Sequence, residues 1–132
     1  MTSRNILIVD DEANQRLMVE QALRALAFDW NISTAASGQE ALEALALRAA
    51  DLIITDYHMP LMNGLDLIAR VRERHVPARI ILITAYSSPE LYDAAQQLQV
   101  DHYLTKPVPL TLLRRLATGV LETIPAPAAS DR

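Results

Sequence analysis

Asp51-Leu-Ile-Ile-Thr-Asp-Tyr-His-Met-Pro-Leu-Met-Asn-Gly64 is the stretch on which the reading of this chain turns. Leu52, Ile53 and Ile54 form a short apolar run without the period-2 alternation of a half-wet strand, which predicts a strand buried on both faces. The run stops at a carboxylate, Asp56. Pro60, Asn63 and Gly64 then mark a tight turn, after which an amphipathic segment begins. Such a strand places Asp56 at the carboxyl edge of a parallel sheet, where open α/β folds bind ligands. Taken alone, Asp56 reads first as a residue that opens a turn; its surroundings in the chain change that.

Outward from this stretch, apolar runs alternate with helical periodicity. Ile6 to Val9 is a first strand ending in Asp10-Asp-Glu12. A helix follows to about Ala27, with Val19, Ala22, Leu23 and Leu26 on one face. Trp30 to Ala35 is a weaker strand. Ser37-Gly-Gln-Glu40 has the form of a capping box and starts a helix through about Ala49, with Ala41, Leu42 and Leu45 inward. Beyond Gly64, Leu67, Ile68 and Val71 face the core of a helix ending near His75. Ile80 to Ile83 is the next strand and closes at Thr84. Ser87 to Glu90 repeats the capping signal, with Pro89 in the first turn and Leu91, Ala94, Ala95 and Leu98 inward. His102 to Thr105 is the last strand, before Lys106-Pro107. Pro109 opens a final helix carrying Leu113, Leu116 and Val120. Five strands alternating with five helices predict a doubly wound α/β fold, a parallel sheet covered on both faces. Right-handed crossovers leave few strand orders, among which 2-1-3-4-5 is the flavodoxin-like one.

The 132 residues suit one domain over 1–123, with 124–132 as a Pro/Ala-rich tail or the start of a linker to an output domain. A net charge of −4 argues against direct nucleic-acid binding, which calls for a clustered basic face. The absence of cysteine excludes disulfides and thiolate metal sites and fits a reducing compartment. The apolar run near the N-terminus is too short for a signal peptide or membrane span, so a cytoplasmic protein is expected. Eleven of the twelve basic residues are arginine, and the single lysine is Lys106. That position is more informative than the count.

In a parallel sheet the residues after each strand share one edge. Asp10 and Asp11 follow the first strand, Asp56 ends the third, Thr84 the fourth, and Lys106 follows the fifth. Each has a structural explanation alone: a helix cap, a turn, a strand end, a solvated charge. Their convergence is harder to explain that way. Two unit charges about 4 Å apart repel by roughly 4 kcal/mol at an effective dielectric near 20. Three carboxylates therefore call for a proton or a cation. Oxygen ligands suit Mg²⁺; with His58 the only nearby imidazole, Zn²⁺ is disfavoured. An aspartate beside a cation and a lysine is also a candidate nucleophile for phosphoryl transfer.

Over about residues 4–122 the chain resembles the receiver domain of two-component response regulators. The resemblance rests on Ile6-Leu-Ile-Val-Asp-Asp-Glu12, Asp56-Tyr-His-Met-Pro60 with Gly64, Thr84-Ala85, and Tyr103-Leu-Thr-Lys-Pro107 in order. It implies that Asp56 accepts a phosphoryl group from the phosphohistidine of a sensor histidine kinase or phosphotransfer protein. It implies that Asp11, Asp56 and the backbone carbonyl of His58 ligate Mg²⁺, with Asp10 acting through a water. Lys106 and Thr84 would each meet a phosphoryl oxygen, Tyr103 would turn from exposed to buried, and the Lys106–Pro107 bond would be cis. It implies no enzyme in the usual sense: the domain catalyses only its own phosphorylation and slow autodephosphorylation.

His58 and Tyr86, two residues after Asp56 and Thr84, occupy positions that tune hydrolysis of the aspartyl phosphate in this family. Both are bulky, so they are expected to crowd the attacking water. Partners are expected at the surface of the fourth helix, fifth strand and fifth helix, near Tyr92, His102 and Tyr103. The partner there is an output domain, another protein or a second copy. Three other readings fit less well. A flavodoxin-type cofactor site needs a hydroxyl- and Gly-rich loop where Asp10-Asp-Glu12 stands. A haloacid-dehalogenase-type phosphatase needs Asp-x-Asp after the first strand. A phosphorylation-independent interaction module of the same fold leaves the set Asp10, Asp11, Asp56, Thr84 and Lys106 without a role.

Overall fold

Strands that lack polar residues on both faces belong in the middle of a covered sheet, and the computed structural model, which describes residues 4–26, 29–74 and 76–123, places them there. The elements are β1 (Arg4–Val9), α1 (Ala13–Arg24), β2 (Trp30–Ala35), α2 (Gly38–Leu47), β3 (Leu52–Asp56), α3 (Gly64–Glu73), β4 (Arg79–Thr84), α4 (Pro89–Gln97), β5 (His102–Thr105) and α5 (Leu110–Thr123). All strand pairs are parallel, in the order β2-β1-β3-β4-β5. Every residue of β3 is buried, whereas the edge strands β2 and β5 are mixed.

Alternate side chains of each strand point to opposite faces and feed separate cores. Ile6, Ile8, Ile54 and Ile81 pack with Leu23 of α1 and Leu113 and Val120 of α5. Leu7, Val9 and Ile53 meet Ala41 and Leu42 of α2 and Leu67 and Val71 of α3. Ile80 and Leu82 join Ile68 and Ala95 under α3 and α4. Burying each of the larger side chains stabilises the fold by roughly 1.5–3 kcal/mol.

The helix ends differ from the sequence expectation in ways that capping explains. Ala25 caps α1, so the helix stops short of Ala27, which lies outside the described residues. α2 ends at Leu47 because Arg48 turns extended and the Asn5 amide donates to the Ala49 carbonyl. α3 ends at Glu73; His75 lies outside the described residues, as do 1–3 and the tail 124–132. At α2, the Ser37 hydroxyl accepts the Glu40 N–H, but Glu40 reaches past the cap to the Ala36 N–H, so the expected capping box is half formed. For α4 the cap is Ser88, not Ser87, because Pro89 takes the first helical position and the hydroxyl before it meets the Leu91 N–H. The full capping box is at Asn63 and Asp66, which each accept the other's backbone N–H.

The edge remote from Asp56 is held by Arg72. Its guanidinium donates to the carbonyls of Leu98 (3.0 Å), Gln99 (3.0 Å), Ala78 (2.8 Å) and Val76 (3.3 Å). It thus joins the last turn of α3, the lead into β4 and the end of α4, where Gln99 turns left-handed at φ 61°. Burial pulls the guanidinium below its ordinary pKa, with Asp101 acting against that. Asp101 itself accepts Arg79 Nε and the Ile80 N–H, each at 2.7 Å. Arg72→Met keeps the apolar stem but strands these carbonyls, so it should cost about 2–3 kcal/mol of unfolding free energy in urea. A loss below about 0.5 kcal/mol would mean that water replaces the guanidinium without penalty.

Candidate phosphoacceptor and metal site

Strand register delivers the acidic residues to one place. Asp10 follows Val9, which pairs with both Ala35 and Thr55, and the Asp10 N–H continues the ladder to the Ala35 carbonyl at 3.1 Å. Asp56 pairs with Ile83, and the Lys106 N–H donates to the Thr84 carbonyl at 2.8 Å. The chain then turns away through local bonds. Asp10 Oδ1 accepts the Glu12 N–H, Glu12 caps α1 by accepting the Gln15 N–H, and Arg16 Nη1 donates to the Asp10 carbonyl at 2.6 Å. α3 can start beside Asp56 only because residue 64 is glycine. A Cβ there would stand 2.6 Å from the Asp56 carbonyl oxygen and 2.9 Å from Tyr57 Cα.

Asp10, Asp11 and Asp56 each bring a carboxylate oxygen within 4.8 Å of the others. Asp10 and Asp56 are 7% and 6% exposed, while Asp11 faces solvent. A pair of charges at 4.8 Å repels by roughly 3 kcal/mol at an effective dielectric of about 20. Burial raises the Asp10 pKa above its ordinary value, the Glu12 N–H opposes this, and Asp56 adds to it. Lys106 lowers it and Asp11 raises it further. A folded carboxyl with a raised pKa is most favourable below the unfolded value and loses stability as pH rises through the folded one. Asp10 is therefore a destabilising charge at neutral pH unless a cation meets it.

Lys106 Nζ lies 3.1 Å from Asp56 Oδ1, close enough for charge attraction but not aligned as a hydrogen bond. The ammonium donates instead to Gln15 Oε1 at 2.9 Å. Asp56 Oδ1 is consequently a buried side-chain oxygen without a hydrogen bond, the single such atom among the described residues. Three carboxylates brought together, two of them buried, offer an oxygen-only donor set that fits a hard cation such as Mg²⁺.

The remaining expected residues surround this cluster. Thr84 is fully buried at the end of β4, but its hydroxyl accepts the Tyr86 N–H at 3.0 Å rather than joining the carboxylates. The exposed rings of His58 and Tyr86 lie 5.5 Å apart. Tyr103 is half-buried, bonded through its hydroxyl to Ser87 Oγ at 2.7 Å and edge-on to Tyr92. The Lys106–Pro107 peptide is cis. Beside Lys106 and Asp56 a cavity of about 420 Å³ runs between α1 and α5, lined largely by Ile8, Ile54, Ile83, Val108 and Leu113. Gln15 was not singled out from the sequence. Its place in the first turn after Asp10-Asp-Glu12 was a signal, but its contact with Lys106, 91 residues away, appears only in the fold.

Residues 6–118 match the family described as response regulator receiver domain. Over 123 residues the chain is 34% identical to chemotaxis protein CheY-3 of Vibrio cholerae, covering 90% of this chain and 92% of that one. It is 36% identical over 121 residues to response regulator protein PilR of Pseudomonas aeruginosa, covering 92% of this chain but spanning 27% of the relative. It likewise spans 21% of the DNA-binding transcriptional regulator NtrC of Escherichia coli K12, at 34% identity over 77% of this chain. Among solved structures, Vibrio cholerae CheY4 superposes with a TM-score of 0.82 at 29% identity, covering 90% of this chain and 99% of that one. The receiver domain of Geobacillus stearothermophilus AraT gives 0.82 at 34% identity, covering 92% and 95%. Among the described residues no helix is long and apolar enough to cross a membrane. With the five-stranded order 2-1-3-4-5 and an aspartate cluster at its carboxyl edge, the chain belongs to the receiver domains of two-component response regulators.

Proposed function

We propose that Asp56 is the phosphoacceptor of a signalling switch, charged by a sensor histidine kinase or a phosphotransfer protein. The observation that carries this reading is Asp56 Oδ1, a buried carboxylate oxygen with an ammonium 3.1 Å away and no hydrogen bond occupying its lone pair. It attacks phosphorus, the bond from phosphorus to the donor imidazole breaks, and the imidazole leaves with that electron pair. Asp11, Asp56 and the His58 backbone carbonyl would hold Mg²⁺, with Asp10 acting through a water. When bound, that ion neutralises charge on the transferring group. Lys106 pairs with one phosphoryl oxygen.

Thr84 supplies the link to the surface. Its hydroxyl accepts the Tyr86 N–H and keeps its own O–H to donate, so turning that O–H onto a phosphoryl oxygen would draw residues 85–87 inward with it. Ser87 is bonded to Tyr103 and adjoins Ser88, the cap of α4, so the displacement reaches the α4–β5–α5 face with Tyr92 and His102. A local charge event thereby biases a two-state element. That face is the output surface, for a linked domain, a partner protein or a second copy.

Intact mass after incubation with Mg²⁺ and acetyl phosphate tests the acceptor. One added phosphoryl group is expected, absent in Asp56→Ala and in EDTA. A folded wild type that gains nothing would contradict the reading and favour a phosphorylation-independent interaction module. The His58 and Tyr86 rings, with centroids 5.5 Å apart and two residues after Asp56 and Thr84, would crowd the attacking water and slow hydrolysis of the aspartyl phosphate. An aromatic contact of about 1 kcal/mol corresponds to roughly fivefold in rate, so His58→Ala with Tyr86→Ala should shorten the phosphoryl half-life by about two- to tenfold. An unchanged half-life would remove both rings from the kinetics.

A further inference from the structure

We propose that Gln15 is a positioning residue that holds the Lys106 ammonium beside the acceptor, an inference that rests on the phosphoacceptor reading of Asp56. Lys106 is placed by its backbone N–H on the Thr84 carbonyl, but its side chain is flexible and a quarter exposed (25%). Its ammonium carries three N–H donors and lies 3.1 Å from Asp56 Oδ1, so a second acceptor beside it decides where it rests. One N–H is committed to Gln15 Oε1 at 2.9 Å, and Asp56 Oδ1 keeps no hydrogen bond.

Gln15 has an exposed side chain and is anchored through its backbone. Its backbone N–H donates to Glu12 Oε1 at 3.1 Å, and the Glu12 N–H donates to Asp10 Oδ1 at 2.9 Å. These bonds tie the first turn of α1 to a carboxylate of the acidic cluster, and the Gln15 side chain reaches from that turn to the lysine. The cavity between α1 and α5 borders the Lys106 stem, so packing alone does not hold the ammonium in place.

The consequence is kinetic and one-sided. Before transfer, the tether keeps the positive charge beside Asp56 Oδ1, near enough to neutralise the incoming group. With acetyl phosphate, the phosphorus–oxygen bond to the acyl group breaks and acetate leaves with the electron pair. After transfer the ammonium faces phosphoryl oxygens, and Gln15 has no further part. Gln15 should therefore govern uptake and not hydrolysis.

The test uses Gln15→Met, which keeps length and helix propensity but removes the acceptor, and Gln15→Asn, which keeps an amide one methylene too short. Uptake from acetyl phosphate at saturating donor and Mg²⁺ should fall roughly three- to tenfold in both, the range given by losing a hydrogen bond of about 1 kcal/mol. Hydrolysis of the preformed aspartyl phosphate should match wild type. Uptake equal to wild type in both variants would overturn the inference and leave Asp56 as acceptor. Uptake and hydrolysis falling together in both would make Gln15 a structural residue of α1 and also overturn it. A wild type that takes up no phosphoryl group at all would bring down the function reading and this inference together.

Discussion

Two buried aspartates at the ends of neighbouring strands, with carboxylate oxygens no more than 4.8 Å apart from each other and from Asp11, impose the constraint around which this domain is arranged. Their mutual repulsion and the burial of Asp10 work against folding. The surrounding structure offsets that cost without removing it. Lys106 brings a positive charge without a hydrogen bond, and the Glu12 N–H supplies one bond to Asp10. Gly64 lets α3 begin against the Asp56 carbonyl. The parallel sheet supplies the rigid floor, because β1 and β3 are buried on both faces and cannot slip without exposing a core.

Stability and adaptability are divided between the two ends of the strands. At the amino end, Arg72 and Asp101 tie α3, β4 and the end of α4 together through backbone groups. At the carboxyl end, the links are single hydrogen bonds: Thr84 to Tyr86, Ser87 to Tyr103, Lys106 to Gln15. Single hydrogen bonds of this kind exchange partners at small net cost. A switch needs that asymmetry, one end that holds and one that rearranges.

The fold was legible because its strands are runs such as Ile6 to Val9 and Ile80 to Ile83, where pattern and burial coincide. The acidic edge was legible because strand ends in a parallel sheet converge whatever the details of packing. What could not be read depended on which of several neighbours a side chain chooses. Ser87 and Ser88 are adjacent, and only the placement of Pro89 in the first turn makes the second the cap. The Asn63–Asp66 box was hidden inside the turn after Asp56. Arg72 looked like any helix-surface arginine until α3, β4 and α4 met around it. Thr84 reached the expected edge, yet its hydroxyl is bonded within its own loop.

The most direct test of the central claim is the thermal midpoint with and without Mg²⁺ at neutral pH, for wild type and Asp10→Asn. Removing the buried charge should raise the midpoint in the absence of metal, since the raised Asp10 pKa makes that carboxylate a cost there. Mg²⁺ should raise the wild-type midpoint, by a linkage free energy of about 1–3 kcal/mol at ten to a hundred times its Kd, and should do much less for the variant. A wild-type midpoint indifferent to Mg²⁺, or one lowered by Asp10→Asn without metal, would contradict an acidic cluster built to receive a cation.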